Sequence, residues 1–207
     1  MGVAALITWA TLLSLTPQQK AAIVVVSGLP SPRGVGAVIV RKALVDQLQP
    51  WLVGGGMVTL VNGDAIHFAD GDQKFYAGTT DVAGVVAWAR SARWLQAIGF
   101  ERIAAHEAEL HRRAYNGLSS IPGVRVLSPP GDISKSLLSF VSDRVHCHDL
   151  SAALDREGIA IRSGNLCCQP ATKALGYTGV NRASWAIYNT ADEVLRLVEA
   201  VSDVTTK

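Results

Sequence analysis

The run AAIVVVSG (Ala21 to Gly28) constrains this chain more than any other stretch. An unbroken series of β-branched residues has no polar side, so a strand built from it must be covered on both faces. Strands of that kind belong to layered α/β proteins, in which helices cover a mostly parallel sheet. AVIV (Ala37 to Val40) repeats the pattern after the Pro/Gly loop LPSPRGVG. RKALVDQLQPW then reads as a short amphipathic helix closed by Pro50. The glycines Gly34, Gly36 and Gly54 to Gly56 read as turn residues, and the stretch from there to KFYAGTTD as polar loops. Two buried strands and one helix cannot close a sheet by themselves. Residues 1–98 are therefore expected to be an incomplete piece of a large parallel layer.

Regular elements become denser further on. Asp81 is placed to cap a helix whose apolar positions include Val82, Val85, Val86 and Ala89, with Gly99 past its end. In the next helix Ile103, Leu110, Ala114 and Leu118 share one face, and Glu109 precedes Arg113 at the spacing of an ion pair. His106 and His111 stand among charges on that helix and read as part of its solvated face. IPGVRVLSPP and SLLSFVSD read as strands, HDLSAALDREG as a helix stopped at Gly158, and IAIRSG and RASWAIYN as strands. Thr190 and Glu193 have the spacing of a capping box, ahead of a last helix that buries Val194, Leu197, Val198 and Val201. That order describes a small α+β domain, residues 99–207, with helices packed on one sheet.

Composition excludes some functions. With 49% hydrophobic residues, a net charge of +2 and no basic block, the chain has material for a core and no footprint for nucleic acid. VAALITWATLLSL (Val3 to Leu15) is too short to span a bilayer and lacks the preceding cation and cleavage site of a signal peptide. It is expected to be a buried strand or helix. Three cysteines, two of them neighbours, make a poor disulfide framework and fit a reducing, cytoplasmic compartment.

The neighbours lie in RSGNLCCQP (Arg162 to Pro170), a turn between a strand and a short helical pattern. Structural cysteines are usually buried singly, whereas reactive ones sit partly exposed near positive charge or a helix N-terminus. Arg162, five residues before Cys167, supplies such a charge. On residue types alone a small turn residue is the simpler reading of Cys167, and Cys168 reads as filler. HCHD (His146 to Asp149) with the cysteine pair suggests a metal site, but zinc ligands come as spaced pairs, and adjacent cysteines chelate a tetrahedral ion poorly. No metal is expected. His148 and Asp149 are read as beginning the helix that follows.

Several ordered stretches resemble the cysteine desulfurases of the SUF type, within the class-V aminotransferases. RSGNLCCQP is similar to that family's R-x-G-x-x-C-x-x-P, and NRASWAIYNTADEV to R-A-S-x-x-x-Y-N-T-x-x-E. KFYAGTTDVAG is similar to R-F-E-A-G-T-P-N-x-x-G, and HCHDLSAALDREGIAIRSG to H-x-H-D-x-x-x-x-L-D-x-x-G-I-A-V-R-x-G. The register runs unbroken from about Gly34 to Val204. The resemblance implies the C-terminal part of a fold-type I pyridoxal phosphate enzyme, in a homodimer, taking sulfur from L-cysteine and passing it to an acceptor for iron–sulfur cluster assembly. Cys167 aligns with the persulfide-forming nucleophile, and Arg182 with the arginine that holds the substrate carboxylate, while Arg162 is expected as a second substrate-binding residue. Ser27 aligns with a serine that binds the cofactor phosphate, and Thr79 with a residue that reaches a phosphate across the dimer.

The departures are as informative. Where the family reads S-G-H-K-x-x-G-P-x-G-x-G, this chain reads SGLPSPRGVG, and the His-Lys pair is absent. That lysine forms the Schiff base. The D-G-A-Q aspartate that pairs with the pyridinium nitrogen has no counterpart in residues 1–26, and Tyr76 stands where the family has Glu. The resemblance thus implies a chain that keeps the nucleophile without the electron sink. Expected from this are no turnover alone and a role by descent, as a dimerisation or partner-binding module, or as a persulfide carrier through Cys167.

Overall fold

A computed structural model describes residues 3–4, 23–26, 35–128 and 136–206. The chain divides into two compact units, Met1–Ala97 and Ile98–Lys207. In the first, strands β1 (Val3–Ala4), β2 (Ile23–Val26) and β3 (Ala37–Val40) form a sheet in the order β1-β3-β2. Both pairings are antiparallel, with Ile23 opposite Val40 and Val26 opposite Ala37. Parallel pairing does not extend to these strands. Residues 27–36, which join β2 to β3, are fewer than the crossover of about a dozen residues that a parallel pair needs.

Strand β3 is also covered on one face only. Val38 and Val40 are buried with Val45, Leu48 and Phe75, while Ile39 between them is 46% exposed. The helix read in RKALVDQLQPW is a single turn, α1 (Lys42–Val45). The polar loops expected after Gly56 contain a hairpin, β4 (Val58–Asn62) and β5 (Ala65–Phe68). Its two-residue turn begins at Gly63 with φ 58°, a left-handed value that hairpin turns of this length require. A 3₁₀ turn (Gln73–Phe75) leads to α2 (Val82–Ile98). Asp81 caps that helix as expected, its Oδ1 accepting from the Gly84 amide at 2.9 Å.

The second unit holds α3 (Phe100–Ser119), β6 (Val124–Val126), β7 (Leu137–Ser142), α4 (Cys147–Arg156), β8 (Arg162–Gly164), α5 (Gln169–Ala174), β9 (Val180–Ser184) and α6 (Ala191–Thr206). The four strands make one antiparallel sheet in the order β6-β7-β9-β8. Leu138, Phe140 and Ala183 point from one face into a core with Leu110, Ala114 and Leu118 of α3, Leu150 and Leu154 of α4, and Val194, Leu197 and Val201 of α6. Each such side chain contributes about 1.5–3 kcal/mol on burial. The main core therefore lies on that face, while Val141 and Val180 are buried on the other. The alternate residues of β7, β8 and β9, among them Ser139, Arg162 and Arg182, face the other way.

Two local expectations for α3 meet different fates. Glu109 pairs with Arg113 at 2.7 Å and also with Arg112. His111, by contrast, is not on a solvated face. It is 3% exposed, stacked on Tyr115 and set edge-on to Trp185. Burial lowers its pKa from the ordinary value, opposed by the backbone at Leu137. His106 is half-buried, with Nε2 3.0 Å from the Asn189 carbonyl.

Candidate functional site

The turn after β8 carries the two exposed thiols. The Cys168 amide donates to the Asn165 carbonyl at 2.8 Å, closing a four-residue turn. Its central residues, Leu166 and Cys167, have φ 52° and 61°. Both are left-handed, in a conformation normally left to Gly, Asn or Asp, and it costs about 1–2 kcal/mol per ordinary residue. Strain of this sort persists only where the surroundings fix the backbone. Here the Cys168 carbonyl accepts from the Ala171 and Thr172 amides of α5, and Pro170 pre-sets that helix's first turn.

The turn aims Cys167 back at the strand it left. Arg162 Nη2 donates to Cys167 Sγ at 2.9 Å. Arg162 stands directly opposite Arg182 in the β8–β9 register, and Ser139 flanks Arg182 on its other side. Like charges directly opposite one another destabilise a sheet unless something answers them. Arg182 Nε is buried with no hydrogen-bond partner among the described residues. Two guanidinium groups and a sulfur thus converge on the sheet face opposite the main core, an arrangement suited to a small anion beside a thiol.

The HCHD stretch lies on the opposite, helix side. His146, rather than His148 or Asp149, caps α4, its side chain accepting from the His148 amide. His148 Nδ1 lies 3.1 Å from Ser163 Oγ, tying α4 to β8 one residue after Arg162. Cys147 is buried, and a Cβ on Gly179 would come within 2.7 Å of its sulfur. Among the described residues no three His, Cys, Asp or Glu side chains are grouped to hold a metal ion. No described helix is long and apolar enough to cross a membrane.

The sequence profile of Aminotransferase class-V matches residues 18–197. The chain belongs to the class-V aminotransferase family. Among its curated relatives in that family, the "Probable cysteine desulfurase 2" of Mycobacterium leprae (strain TN) is 42% identical over 171 residues, 82% of this chain and 41% of the relative. A cysteine desulfurase of Haloferax volcanii is 39% identical over 170 residues, 82% of this chain and 40% of the relative. Of solved structures, the cysteine desulfurase from Thermococcus onnurineus NA1 superposes with a TM-score of 0.84 at 30% identity, covering 90% of this chain and 48% of its own. The Escherichia coli cysteine desulfurase CsdA does so with a TM-score of 0.78 at 35% identity, covering 84% and 43%. The fold is accordingly the α/β fold of fold-type I pyridoxal phosphate enzymes, of which this chain spans less than half.

Members of this family that act as cysteine desulfurases depend on pyridoxal phosphate. The described lysines do not fit that cofactor. Lys42 is exposed at the start of α1, and Lys173 is exposed on α5. Lys74 is buried, with Nζ 3.5 Å from the Asp46 carbonyl and 5.4 Å from the centre of the Phe75 ring. None of the three occupies the family's Schiff-base position, which is missing from SGLPSPRGVG. Thr79 is exposed on the loop that the Gly78 amide pins to the Gly55 carbonyl at 2.9 Å. Ser27 lies outside the described residues. Tyr76, in the family's Glu position, has its pKa raised by burial and by Asp72.

Of the site residues read from sequence, Cys167, Arg162 and Arg182 come together. The pairing of the two arginines was not legible, because no local pattern gives the register of strands so far apart in the chain. The Ser163–His148 link left no signal either.

Proposed function

We propose that this chain is the nucleophile-bearing part of a SUF-type cysteine desulfurase. Cys167 receives sulfur as a persulfide, and Arg182, with Arg162 beside it, holds the carboxylate of L-cysteine. The observation that carries this reading is the Arg162–Cys167 contact at 2.9 Å, made directly across the sheet from Arg182. A carboxylate is held best by planar, bidentate donors, and a cysteine nucleophile acts as a thiolate that a guanidinium can hold in place. The family's cofactor supplies the electron sink for breaking the carbon–sulfur bond. Since the family's Schiff-base lysine is absent from SGLPSPRGVG, the chain alone does not turn over L-cysteine. Ser27 and Thr79 keep their phosphate-binding roles only where a complete cofactor site is assembled.

Such assembly calls for a second polypeptide, in a homodimer or with a complete desulfurase. The first unit supports that reading by exposing Trp51, Leu52, Val53, Leu60 and Val61, together with Val82, Val85 and Val86 of α2. The three free thiols suit a reducing cytoplasm, where a separate acceptor protein would collect the sulfur. Without a complete partner the same thiol serves as a persulfide carrier.

The test pairs two measurements on the purified chain. Alanine release from L-cysteine, with pyridoxal phosphate added, should stay at background. An alkylating probe should label Cys167 well before the buried Cys147. Alanine production that disappears in Cys167→Ala would show a complete catalytic set and overturn the inactive reading. Labelling of all three cysteines only after unfolding would remove the nucleophile.

A further inference from the structure

Cys168 has no part in the reading above, yet its sulfur shares one exposed, hydrogen-bonded turn with that of Cys167. The two positions differ in their surroundings. Cys167 is held left-handed, and its sulfur accepts from Arg162 at 2.9 Å. Cys168 has a negative φ of −135°, with ψ 56°, a backbone fixed at both ends by Asn165 and by α5, and no hydrogen-bond partner for its sulfur among the described residues. One thiol is thus restrained by a cation, and its neighbour is free to meet a partner.

We propose that Cys168 is a second sulfur-holding residue, which takes the outer sulfur from a Cys167 persulfide and presents it to the acceptor thiol. The proposal rests on Cys167 being the persulfide-forming residue. Thiols and S–S bonds exchange by attack of a thiolate on sulfur. The Cys168 thiolate attacks the outer sulfur of the Cys167 persulfide and forms a new S–S bond to it. The bond between that sulfur and Cys167 Sγ breaks, and its electron pair stays on Cys167 Sγ as a thiolate. The proton on the outer sulfur travels with it, so one persulfide and one thiolate give one persulfide and one thiolate. No oxidant or reductant is needed. The Arg162 guanidinium, already at hydrogen-bond distance, receives the departing Cys167 thiolate. The transfer clears Cys167 for a second sulfur while the first waits on the unrestrained side of the turn.

The experiment loads the full reduced chain with a limiting amount of glutathione persulfide, so that no cofactor chemistry is involved. Samples are quenched by alkylation over time, and fragmentation mass spectrometry assigns the extra sulfur to Cys167 or Cys168. In the unmodified chain the sulfur should appear first on Cys167 and then move to Cys168. In Cys168→Ser it should stay on Cys167. In Cys167→Ser, which loses the intramolecular donor, Cys168 should load about tenfold more slowly or less. Sulfur that stays on Cys167 in the unmodified chain, while Cys168→Ser loads normally, would overturn the transfer and leave the Cys167 reading intact. Loading of Cys168 in Cys167→Ser at the unmodified rate would also overturn it, by making Cys168 an independent target. If Cys167 takes up no sulfur even in Cys168→Ser, both readings fall together.

Discussion

Gly117, on α3 where it passes α6, offers a stringent test of how the second unit is packed. A Cβ built there would lie 2.6 Å from Val198 Cγ2, 2.9 Å from Cγ1 and 3.3 Å from Val198 Cβ. Valine in a helix holds one rotamer almost always, so neither methyl can swing aside, and the helices themselves must part. Overpacking of this kind costs about 1–3 kcal/mol. Alanine in place of glycine inside a helix returns about 1 kcal/mol. Gly117→Ala should therefore destabilise the protein by about 1 kcal/mol, against the ordinary helix preference. In a Val198→Ala background both methyl contacts are gone and only the 3.3 Å approach to the Cβ of residue 198 remains, so adding Gly117→Ala should stabilise by less than about 1 kcal/mol. Urea denaturation of the four proteins, followed by far-ultraviolet circular dichroism, reads both signs. A stabilising Gly117→Ala in the original background would refute the reasoning, because the close approach would then not be limiting.

Two further outcomes follow from the same unit. Thr190→Ala removes the side-chain half of a capping box in which Thr190 Oγ1 accepts from the Glu193 amide at 3.3 Å, leaving Glu193 Oε2 to accept from the backbone amide of residue 190 at 2.9 Å. It should cost about 1 kcal/mol in the same denaturation assay, and no loss would mean that the box is idle. His111 has a folded-state pKa below its ordinary value of 6.5, so below that pH the unfolded chain binds the proton more readily. Its share of stability is present at neutral pH and lost as the pH falls, and His111→Phe should flatten the decline in denaturation midpoint between pH 7 and about pH 5.

The helical faces of the second unit were readable because a 3.6-residue period and a cap are local signals. Val194, Leu197 and Val201 are buried as their spacing requires. Periodicity says which residues share a face but not what covers it. Val82, Val85 and Val86 fall at helical spacing on α2 and are 62%, 50% and 64% exposed. His111 was misjudged for a related reason. Glu109, Arg112 and Arg113 surround it in sequence but form their own exposed cluster on the helix, while His111 turns inward to Trp185. The hairpin β4–β5 has its cue in the turn pair Gly63-Asp64, but the flanking VTLVN and AIHF carry no strict apolar–polar alternation to mark them as strands. At the candidate site the motif located Arg162 and Cys167. Their contact depends on two left-handed residues, Leu166 and Cys167, whose types do not announce that conformation.

The sheet of the second unit acts as a partition. Along β9, Asn181 and Ala183 belong to the packed side, while Arg182 and Ser184 belong to the side that bears Arg162. Inserting or deleting one residue in that strand would exchange the two sets, driving a guanidinium into the core and an apolar side chain out of it. Substitutions, in contrast, stay on their own side of the wall. The packed side can therefore be redesigned for greater durability without altering the side chains displayed on the other. On the other side exposed residues such as Arg162 can be varied likewise, but Val141 and Val180 are buried there and belong to the packing.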